Sequence, residues 1–309
     1  MRTPFLELAK QRVVVLDGAM GTSIHTYPLD IQKDYLGLEN CSEILIETRP
    51  DVIREIHESF LAVGCDGVET DTFGANKIVL AEFGVPEKAF ELNRRGAEIA
   101  REACLKFETP DRPKYVIGSM GPGTKLPTLG HTTYDVLEDS YAEQARGLIA
   151  GGVDALLIET CQDLLQIKSA VSACTIAMTE AGVKLPLIVQ VTVETTGTML
   201  VGSDMSAAVA SLLPFAEIDC MGLNCATGPA EMGEHVQYLS HHWPRFISVL
   251  PNAGLPVMVD GKATYPLTPA DFAKAMTRFV SEYGVNVVGG CCGTTPAHIR
   301  AVREALAGS

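Results

Sequence analysis

The stretch Val153-Asp154-Ala155-Leu156-Leu157-Ile158-Glu159 is a short apolar run that ends in a carboxylate, and a longer segment of helical periodicity, residues 163–181, follows it. A buried strand followed by an amphipathic helix is the repeating unit of a parallel α/β sheet. The same alternation recurs along the whole chain, and several of the helical segments begin at a capping residue or proline and end near a glycine. This pattern predicts a parallel α/β fold.

Eight strand–helix units can be recognised in this way. The candidate strands are residues 12–17, 66–71, 115–119, 153–159, 186–192, 219–225, 246–252 and 286–290. The candidate helices are residues 50–63, 87–107, 133–150, 163–181, 204–215, 229–241, 268–282 and 296–306. Eight such units in about 250 to 300 residues predict a closed (β/α)8 TIM barrel, whose active site lies at the C-terminal ends of the strands. No linker or low-complexity tract divides the chain, so we expect one domain over residues 1–309.

Composition narrows the class of protein. The chain has 309 residues, 47% hydrophobic and 20% charged, which is typical of a soluble globular protein with a large core. Its net charge of −14 disfavours nucleic acid and anionic membranes as partners. The nine cysteines are an odd number without paired spacing, and the N-terminus lacks the apolar stretch of a secretory signal. We therefore expect a cytoplasmic protein.

Carboxylates accumulate where the predicted strands end. Asp17 ends the first candidate strand, Glu69 and Asp71 end the second, and Glu159 ends the fourth. One carboxylate at a strand end is often only a helix cap. Several around one rim of a barrel indicate a shared functional site.

Two cysteines stand side by side in the segment Gly289-Gly290-Cys291-Cys292-Gly293-Thr294-Thr295-Pro296, directly after the last candidate strand, and Cys225 ends the sixth. Three thiolates from two strand ends can hold a zinc ion with one position free, as catalytic zinc sites do. Adjacent side chains diverge along an extended strand, so we expect Gly289, Gly290 and Gly293 to provide a backbone turn. The remaining cysteines are interpreted as small apolar core residues: Cys41, Cys65, Cys104, Cys161, Cys174 and Cys220.

Four further segments accompany this cysteine pair. They are Asp17-Gly18-Ala19-Met20-Gly21-Thr22, Glu69-Thr70-Asp71-Thr72-Phe73, Gly222-Leu223-Asn224-Cys225 and Pro251-Asn252-Ala253-Gly254-Leu255-Pro256. Together the five segments resemble the homocysteine S-methyltransferase family, in particular the homocysteine-binding domain of cobalamin-dependent methionine synthases. The resemblance runs from about residue 10 to the end. The cysteine pair is shared by the wider family, whereas the second and fourth of these segments point to the cobalamin-dependent branch.

The resemblance implies a set of metal ligands and catalytic residues. Cys225, Cys291 and Cys292 match the three zinc ligands of the family. Asn252 matches a position whose side-chain oxygen can fill the fourth site until substrate displaces it. An asparagine is also a common turn residue, and both interpretations of Asn252 remain open.

The resemblance also implies where the amino-acid end of homocysteine binds. Asp17 and Glu159 match acidic residues that hold this end of the substrate through its ammonium group. The glycine-rich loop Ser119-Met120-Gly121-Pro122-Gly123 follows the third candidate strand and could present backbone N–H groups to the substrate carboxylate.

The ligand set favours one kind of chemistry. A free thiol has a pKa of about 8.5, so only a small fraction is thiolate at neutral pH, and the thiolate is the nucleophile. Zinc coordination removes the thiol proton, while three cysteine thiolates keep the site net negative and the incoming sulfur electron-rich. Histidine ligands would instead favour activation of water. The sequence therefore predicts alkylation of a substrate thiol.

The resemblance implies methyl transfer from methylcobalamin to homocysteine, giving methionine. No cobalamin-binding histidine loop and no folate-binding barrel are evident in the sequence, so cobalamin- and folate-binding modules are expected as partners in the same polypeptide or in another subunit. Two alternatives remain open. One is a stand-alone homocysteine methyltransferase that uses S-methylmethionine or betaine. The other is a non-catalytic zinc- or thiol-binding protein.

Overall fold

Eight parallel strands form the barrel in a computed structural model of the chain, which describes residues 2–307. The strands of the chain are β1 (Val14–Val15), β2 (Gly67–Glu69), β3 (Tyr115–Met120), β4 (Ala155–Cys161), β5 (Leu187–Val191), β6 (Cys220–Asn224), β7 (Phe246–Leu250), β8 (Val257–Val259), β9 (Lys262–Thr264) and β10 (Val287–Val288). The sheet order is β1-β10-β7-β6-β5-β4-β3-β2, and a parallel bridge between Leu16 and Gly67 joins its two ends. The predicted TIM barrel is confirmed.

The helices surround this barrel. They are α1 (Phe5–Gln11), α2 (Met20–Ile24), α3 (Leu45–Thr48), α4 (Pro50–Ala62), α5 (Lys77–Glu82), α6 (Ala89–Phe107), α7 (Tyr134–Ala150), α8 (Leu164–Ala181), α9 (Met205–Leu212), α10 (Pro229–His242), α11 (Pro269–Tyr283) and α12 (Pro296–Ala307). Every predicted strand and helix is present, with ends shifted by a few residues. The sequence analysis did not predict α1, α2, α3, α5 or the antiparallel hairpin of β8 and β9.

Capping residues explain where the outer helices begin and end. The side chain of Asp163 accepts hydrogen bonds from backbone N–H groups at the start of α8, and Thr133 does the same for α7. Gly182 and Gly284 follow α8 and α11 with positive φ, a conformation that glycine adopts without steric cost. These local signals set the helix ends that the sequence analysis approximated.

Two apolar layers hold the barrel together. A large core fills the space between the strands and the helices, which explains why the strands read as nearly continuous apolar runs. A smaller cluster lies inside the barrel and includes Val14, Ile117 and Leu157. Helix α1 packs on this inner cluster, where the rings of Phe5 and Tyr115 meet edge to face at 5.5 Å. The barrel interior is thus a packed core, and the site must lie at an end of it.

The predicted domain of residues 1–309 includes Met1, Gly308 and Ser309, which lie outside the described residues. Between residues 2 and 307, no helix combines the length and the apolar character that crossing a membrane requires.

Candidate metal centre and substrate cavity

Three cysteine sulfur atoms meet at the C-terminal end of the barrel. Cys225 follows β6, whereas Cys291 and Cys292 follow β10. Their Sγ atoms all lie within 4.8 Å of one another, and those of Cys225 and Cys292 are 3.8 Å apart. Among the described residues, this is the only cluster of three His, Cys, Asp or Glu side chains that meets this distance. The structure therefore brings together the three residues that the sequence analysis selected as ligands.

The spacing of the sulfur atoms fits zinc. Two thiolates bound tetrahedrally at about 2.3 Å from zinc are about 3.8 Å apart, which agrees with the 3.8 Å between Cys225 and Cys292. In the metal-free site, hydrogen bonds from Cys225 and Cys291 lower the pKa of Cys292 to about 3, whereas the same contacts raise the pKa of Cys291, so one of the cysteines favours the thiolate form and the others act as its donors. The donor set and its spacing suit a zinc ion with one further position.

A strained turn directs Cys225 towards the other two cysteines. Cys225 and Ala226 have φ of 59° and 58°, a left-handed conformation that costs free energy in residues other than glycine. The backbone N–H of Cys225 donates to the carbonyl of Leu250 at the end of β7. Strained backbone of this kind is concentrated at functional sites.

Of the three glycines around the cysteine pair that were expected to provide a backbone turn, one does so. Only Gly293 takes a left-handed conformation, with φ of 78°, whereas Gly289 and Gly290 do not. A Cβ atom at Gly290 would lie 2.4 Å from Oγ1 of Thr294, whose hydroxyl donates to the carbonyl of Cys291. Gly290 is thus required for close packing rather than for an unusual turn.

Asn252 lies beside the cysteine pair. Its neighbours in sequence bond the pair directly, because Cys291 N–H donates to Pro251 O at 2.9 Å and Ala253 N–H donates to Cys292 O at 3.0 Å. Asn252 is 3% exposed, yet its Oδ1 atom has no hydrogen-bond partner. A buried amide oxygen without a partner is costly, and a metal ligand is one explanation for it. Its side chain could supply an oxygen to a zinc ion.

The sulfur atoms face a cavity of about 280 Å³. The carboxyl groups of Glu43, Glu69, Asp71 and Glu159 line the same cavity and are called the acidic wall below, and none of the described residues that line the cavity is a lysine or arginine. The polar and sulfur-containing side chains of the lining include Glu43, Glu69, Asp71, Ser119, Glu159, Thr160, Cys225, Cys291 and Cys292. Asp17 lies behind this wall, where its carboxylate accepts the backbone N–H of Glu69 at 3.1 Å.

Burial controls the charge of these carboxyl groups. Desolvation raises the pKa of Glu159 to about 7 and raises the pKa of Asp17, Glu69 and Asp71 well above the usual range. Glu69 Oε1 and Asp71 Oδ2 are buried without hydrogen-bond partners. An acidic, desolvated wall with unpaired oxygens suits a ligand that carries a positive charge and several N–H donors.

Ser119 contacts this wall through its hydroxyl, which donates to Glu159. Its backbone N–H donates to Oγ1 of Thr70 at 3.0 Å, and the N–H of Gly121 donates to the carbonyl of Phe73 at 2.9 Å. Two of the N–H groups expected to bind the substrate carboxylate are therefore already paired within the protein.

Comparison with known sequences assigns the chain to a family. The sequence profile described as homocysteine S-methyltransferase matches residues 14–306. The chain belongs to the homocysteine S-methyltransferase family. It is therefore a methyltransferase, and the resemblance found in the sequence motifs is confirmed.

Two mycobacterial relatives of this homocysteine S-methyltransferase family member are methionine synthases. The chain is 52% identical over 305 residues to methionine synthase of Mycobacterium tuberculosis and 54% identical over 305 residues to that of Mycobacterium leprae. In each case the match covers 99% of this chain but 25% of the relative. The chain thus spans about a quarter of the length of these relatives.

Solved structures share the barrel. The homocysteine methyltransferase MmuM from Escherichia coli, in its metallated form, matches with a TM-score of 0.77 and 22% identity, covering 97% of this chain and 98% of that chain. Its apo form matches with a TM-score of 0.73 and 22% identity, covering 96% of this chain and 97% of that chain. At this identity the likeness concerns the fold alone.

Four residues in or beside this cavity were not selected from the sequence. Glu43 lies in a short 3-10 helix, Ser42–Ile44, and not at the end of a strand, so the strand-end rule could not select it. Thr160 and Asn224 each stand at a strand end beside a selected residue, so the same rule could have found them. Tyr265 follows the unpredicted hairpin, and its hydroxyl hydrogen-bonds to Cys292.

Proposed function

We propose that this chain binds zinc and homocysteine in the cavity at the C-terminal end of its barrel and transfers a methyl group to the homocysteine sulfur, giving methionine. One observation carries the proposal: the sulfur atoms of Cys225, Cys291 and Cys292 line the same cavity of about 280 Å³ as Glu69 and Glu159. The cysteine sulfur atoms suit a thiol bound through a metal, and the carboxyl groups suit an ammonium group.

Cys225, Cys291 and Cys292 would hold the zinc, with the oxygen of Asn252 as a fourth ligand before substrate arrives. Bound zinc would supply a substrate thiolate at neutral pH. The negative charge of the three cysteine thiolates keeps the substrate sulfur electron-rich. That sulfur forms the new bond to the methyl carbon, while the bond to the donor breaks and its electron pair stays with the donor.

The acidic wall would hold the other end of the substrate. Glu159 lines the cavity, and Ser119 donates to one of its oxygens, which orients the carboxyl group. Asp17 stands behind the backbone of Glu69, does not line the cavity, and would add negative charge only in its ionised form. An ammonium group bound here would favour the ionised form of these carboxyl groups. Homocysteine would then span the distance from the acidic wall to the thiolates.

We assign methylcobalamin as the methyl donor, presented from outside the cavity by a cobalamin-binding module that works together with a folate-binding module. The cavity of about 280 Å³ can hold a small amino acid but not a corrinoid. The sequence segments of the cobalamin-dependent branch and the two relatives named methionine synthase support this assignment. The net charge of −14 and the nine free cysteines support a cytoplasmic protein that binds neither nucleic acid nor membranes.

Metal analysis tests the ligand set. We expect about one zinc per purified chain, and its loss in Cys291→Ser together with loss of homocysteine binding. Cys174→Ala is the matched control, because Cys174 is fully buried in α8 away from the cavity. Full zinc occupancy and normal homocysteine binding in Cys291→Ser would contradict the proposal.

A panel of methyl donors tests the reaction. Zinc-loaded protein with homocysteine should form methionine with free methylcobalamin and not with S-methylmethionine or betaine. Turnover with either small donor and without cobalamin would replace the proposed donor. Binding of homocysteine without methyl transfer from any donor would favour a thiol-binding role for this chain alone.

A further inference from the structure

Asn224 is a buried polar residue that the mechanism above does not use. It is the last residue of β6, 1% exposed, and it directly precedes Cys225. Its Nδ2 atom lies 2.8 Å from Thr160 Oγ1, 3.2 Å from Glu159 Oε2 and 4.0 Å from Cys291 Sγ. One amide nitrogen thus touches both the acidic wall and the thiolate cluster.

The orientation of this amide is fixed by the backbone. The N–H of Thr160 lies 2.8 Å from Asn224 Oδ1, and a backbone N–H can only donate, so the facing atom must be the oxygen. The NH₂ group therefore faces Glu159 and Cys291. The hydroxyl of Thr192 donates to the backbone carbonyl of Asn224 at 2.8 Å and holds the end of the strand in place.

Asn224 also holds a strained turn. Thr160 is a β-branched residue with φ of 58°, a conformation that such residues rarely adopt. Two hydrogen bonds with the Asn224 side chain hold Thr160: its backbone N–H donates to Asn224 Oδ1, and its hydroxyl oxygen accepts from Asn224 Nδ2. Because Thr160 follows Glu159 directly, these bonds fix the position of the Glu159 carboxylate relative to the cysteines.

We propose that Asn224 is a positioning residue that sets the separation between the acidic wall and the thiolate cluster, and thereby selects homocysteine over cysteine. The inference rests on the proposed function. Homocysteine is one methylene longer than cysteine, so a site whose two ends are held at a fixed separation accepts one length and rejects the other. A single methylene is typically discriminated by about 10- to 200-fold.

The contact between Asn224 and Cys291 should also raise the affinity of the site for zinc. Groups that hydrogen-bond to metal ligands orient them, and their loss typically lowers metal affinity or activity by about 10- to 100-fold. The NH₂ group of Asn224 has two hydrogens: one is donated to the Thr160 hydroxyl, and the other lies between Glu159 Oε2 at 3.2 Å and Cys291 Sγ at 4.0 Å. Asn224 therefore couples the two ends of the substrate site.

The variant Asn224→Asp tests this directly. It keeps an oxygen for the Thr160 N–H but replaces the NH₂ donor by a second oxygen, which repels Glu159 and Cys291. Asn224→Ala removes the donor without adding charge. Thr192→Val is the structural control, because it removes the 2.8 Å bond to the Asn224 backbone carbonyl and a longer 3.4 Å contact with Oδ1, while the NH₂ group that faces Glu159 stays in place.

Calorimetric titration of zinc-loaded protein with homocysteine and with cysteine gives the preference between them, and chelator competition gives zinc affinity. Both Asn224 variants should bind homocysteine and zinc roughly 10- to 100-fold more weakly. Their preference for homocysteine should also shrink, while Thr192→Val keeps it.

An unchanged preference in both Asn224 variants, or a loss of preference of the same size in Thr192→Val, overturns the inference. So does failure of both Asn224 variants to fold, because the side chain is then a folding requirement. Zinc and homocysteine binding by the wild-type chain tests the proposed function separately. If the wild-type chain binds neither, both proposals fail.

Discussion

Tyr265 occupies the space next to Gly293 that a side chain would need. A Cβ atom at Gly293 would lie 2.2 Å from Cγ of Tyr265, and Gly293 has φ of 78°. Gly293→Ala should therefore displace Tyr265 and the adjacent Cys292, and we expect loss of tightly bound zinc together with roughly 2–4 kcal/mol of stability. Metal analysis and urea unfolding measure the two effects.

Gly284→Ala separates steric displacement from backbone strain. Gly284 has φ of 66°, but nothing lies within 4 Å of a Cβ atom built on it. We expect this control to lose roughly 1–2 kcal/mol and to retain zinc. Equal zinc contents in the two variants would show that the contact with Tyr265 does not support the metal site.

Glu159 should make the stability of the metal-free protein depend on pH. Its pKa rises from 4.5 to about 7 because the folded protein desolvates it, so the folded state binds more protons than the unfolded state between these values. This contribution is fully present below about pH 4.5 and is lost as the pH rises through about 7. Its size is roughly 3 kcal/mol.

Urea unfolding of metal-free protein between pH 5 and 8 measures this contribution. The free energy of unfolding should fall as the pH rises, and Glu159→Gln should flatten the decline. Asp17 and Glu69 have raised pKa values for the same reason, so part of the slope should remain. The exposed Glu87 provides the control variant Glu87→Gln. A slope unchanged by Glu159→Gln would contradict the assignment.

An experiment can decide whether Asn252 is a metal ligand or only a turn residue. Its unpaired Oδ1 predicts that Asn252→Ala weakens zinc binding roughly tenfold or more in the absence of homocysteine. Saturating homocysteine should remove most of this difference, because the substrate sulfur takes the same position. Chelator competition with and without homocysteine measures both values.

The control for this prediction is Asn40→Ala, because Asn40 is an exposed turn asparagine with φ of 71°. It should change stability but not zinc affinity. If Asn252→Ala behaves in the same way, Asn252 is a turn residue only.

Hydrophobic periodicity was sufficient to predict the barrel, because its strands are buried on both faces and its helices carry clear capping signals. The strand-end rule of barrels then selected Cys225, Cys291 and Glu159, which line one cavity. The position of these residues at strand ends was enough to predict that they lie together, because the C-terminal ends of all parallel strands lie at the same rim of a barrel.

The rest of the site depends on contacts that have no periodic signal. Glu43 and Tyr265 come from irregular segments outside the strand–helix units, and only the folded chain places them near the cavity. The pairing of the Ser119 and Gly121 N–H groups likewise depends on neighbouring strands and loops. The sequence pattern locates strand ends, but it does not show which hydrogen bonds are already made.

Helix α1 offers a test that separates stability from activity. Phe5 packs edge to face on Tyr115 at 5.5 Å, and the Tyr115 hydroxyl donates to the carbonyl of Thr3 at 2.6 Å, at the N-terminal end of the barrel. Phe5→Ala should lose roughly 3–5 kcal/mol because it removes a buried ring, whereas Leu105→Ala, at a side chain 59% exposed on α6, should change stability by less than about 0.5 kcal/mol. Zinc content and homocysteine affinity of folded Phe5→Ala should equal those of the wild type, since function in this fold lies at the opposite end of the strands. A selective loss of zinc in Phe5→Ala, without a matching loss of stability, would show that the two ends of the barrel are coupled.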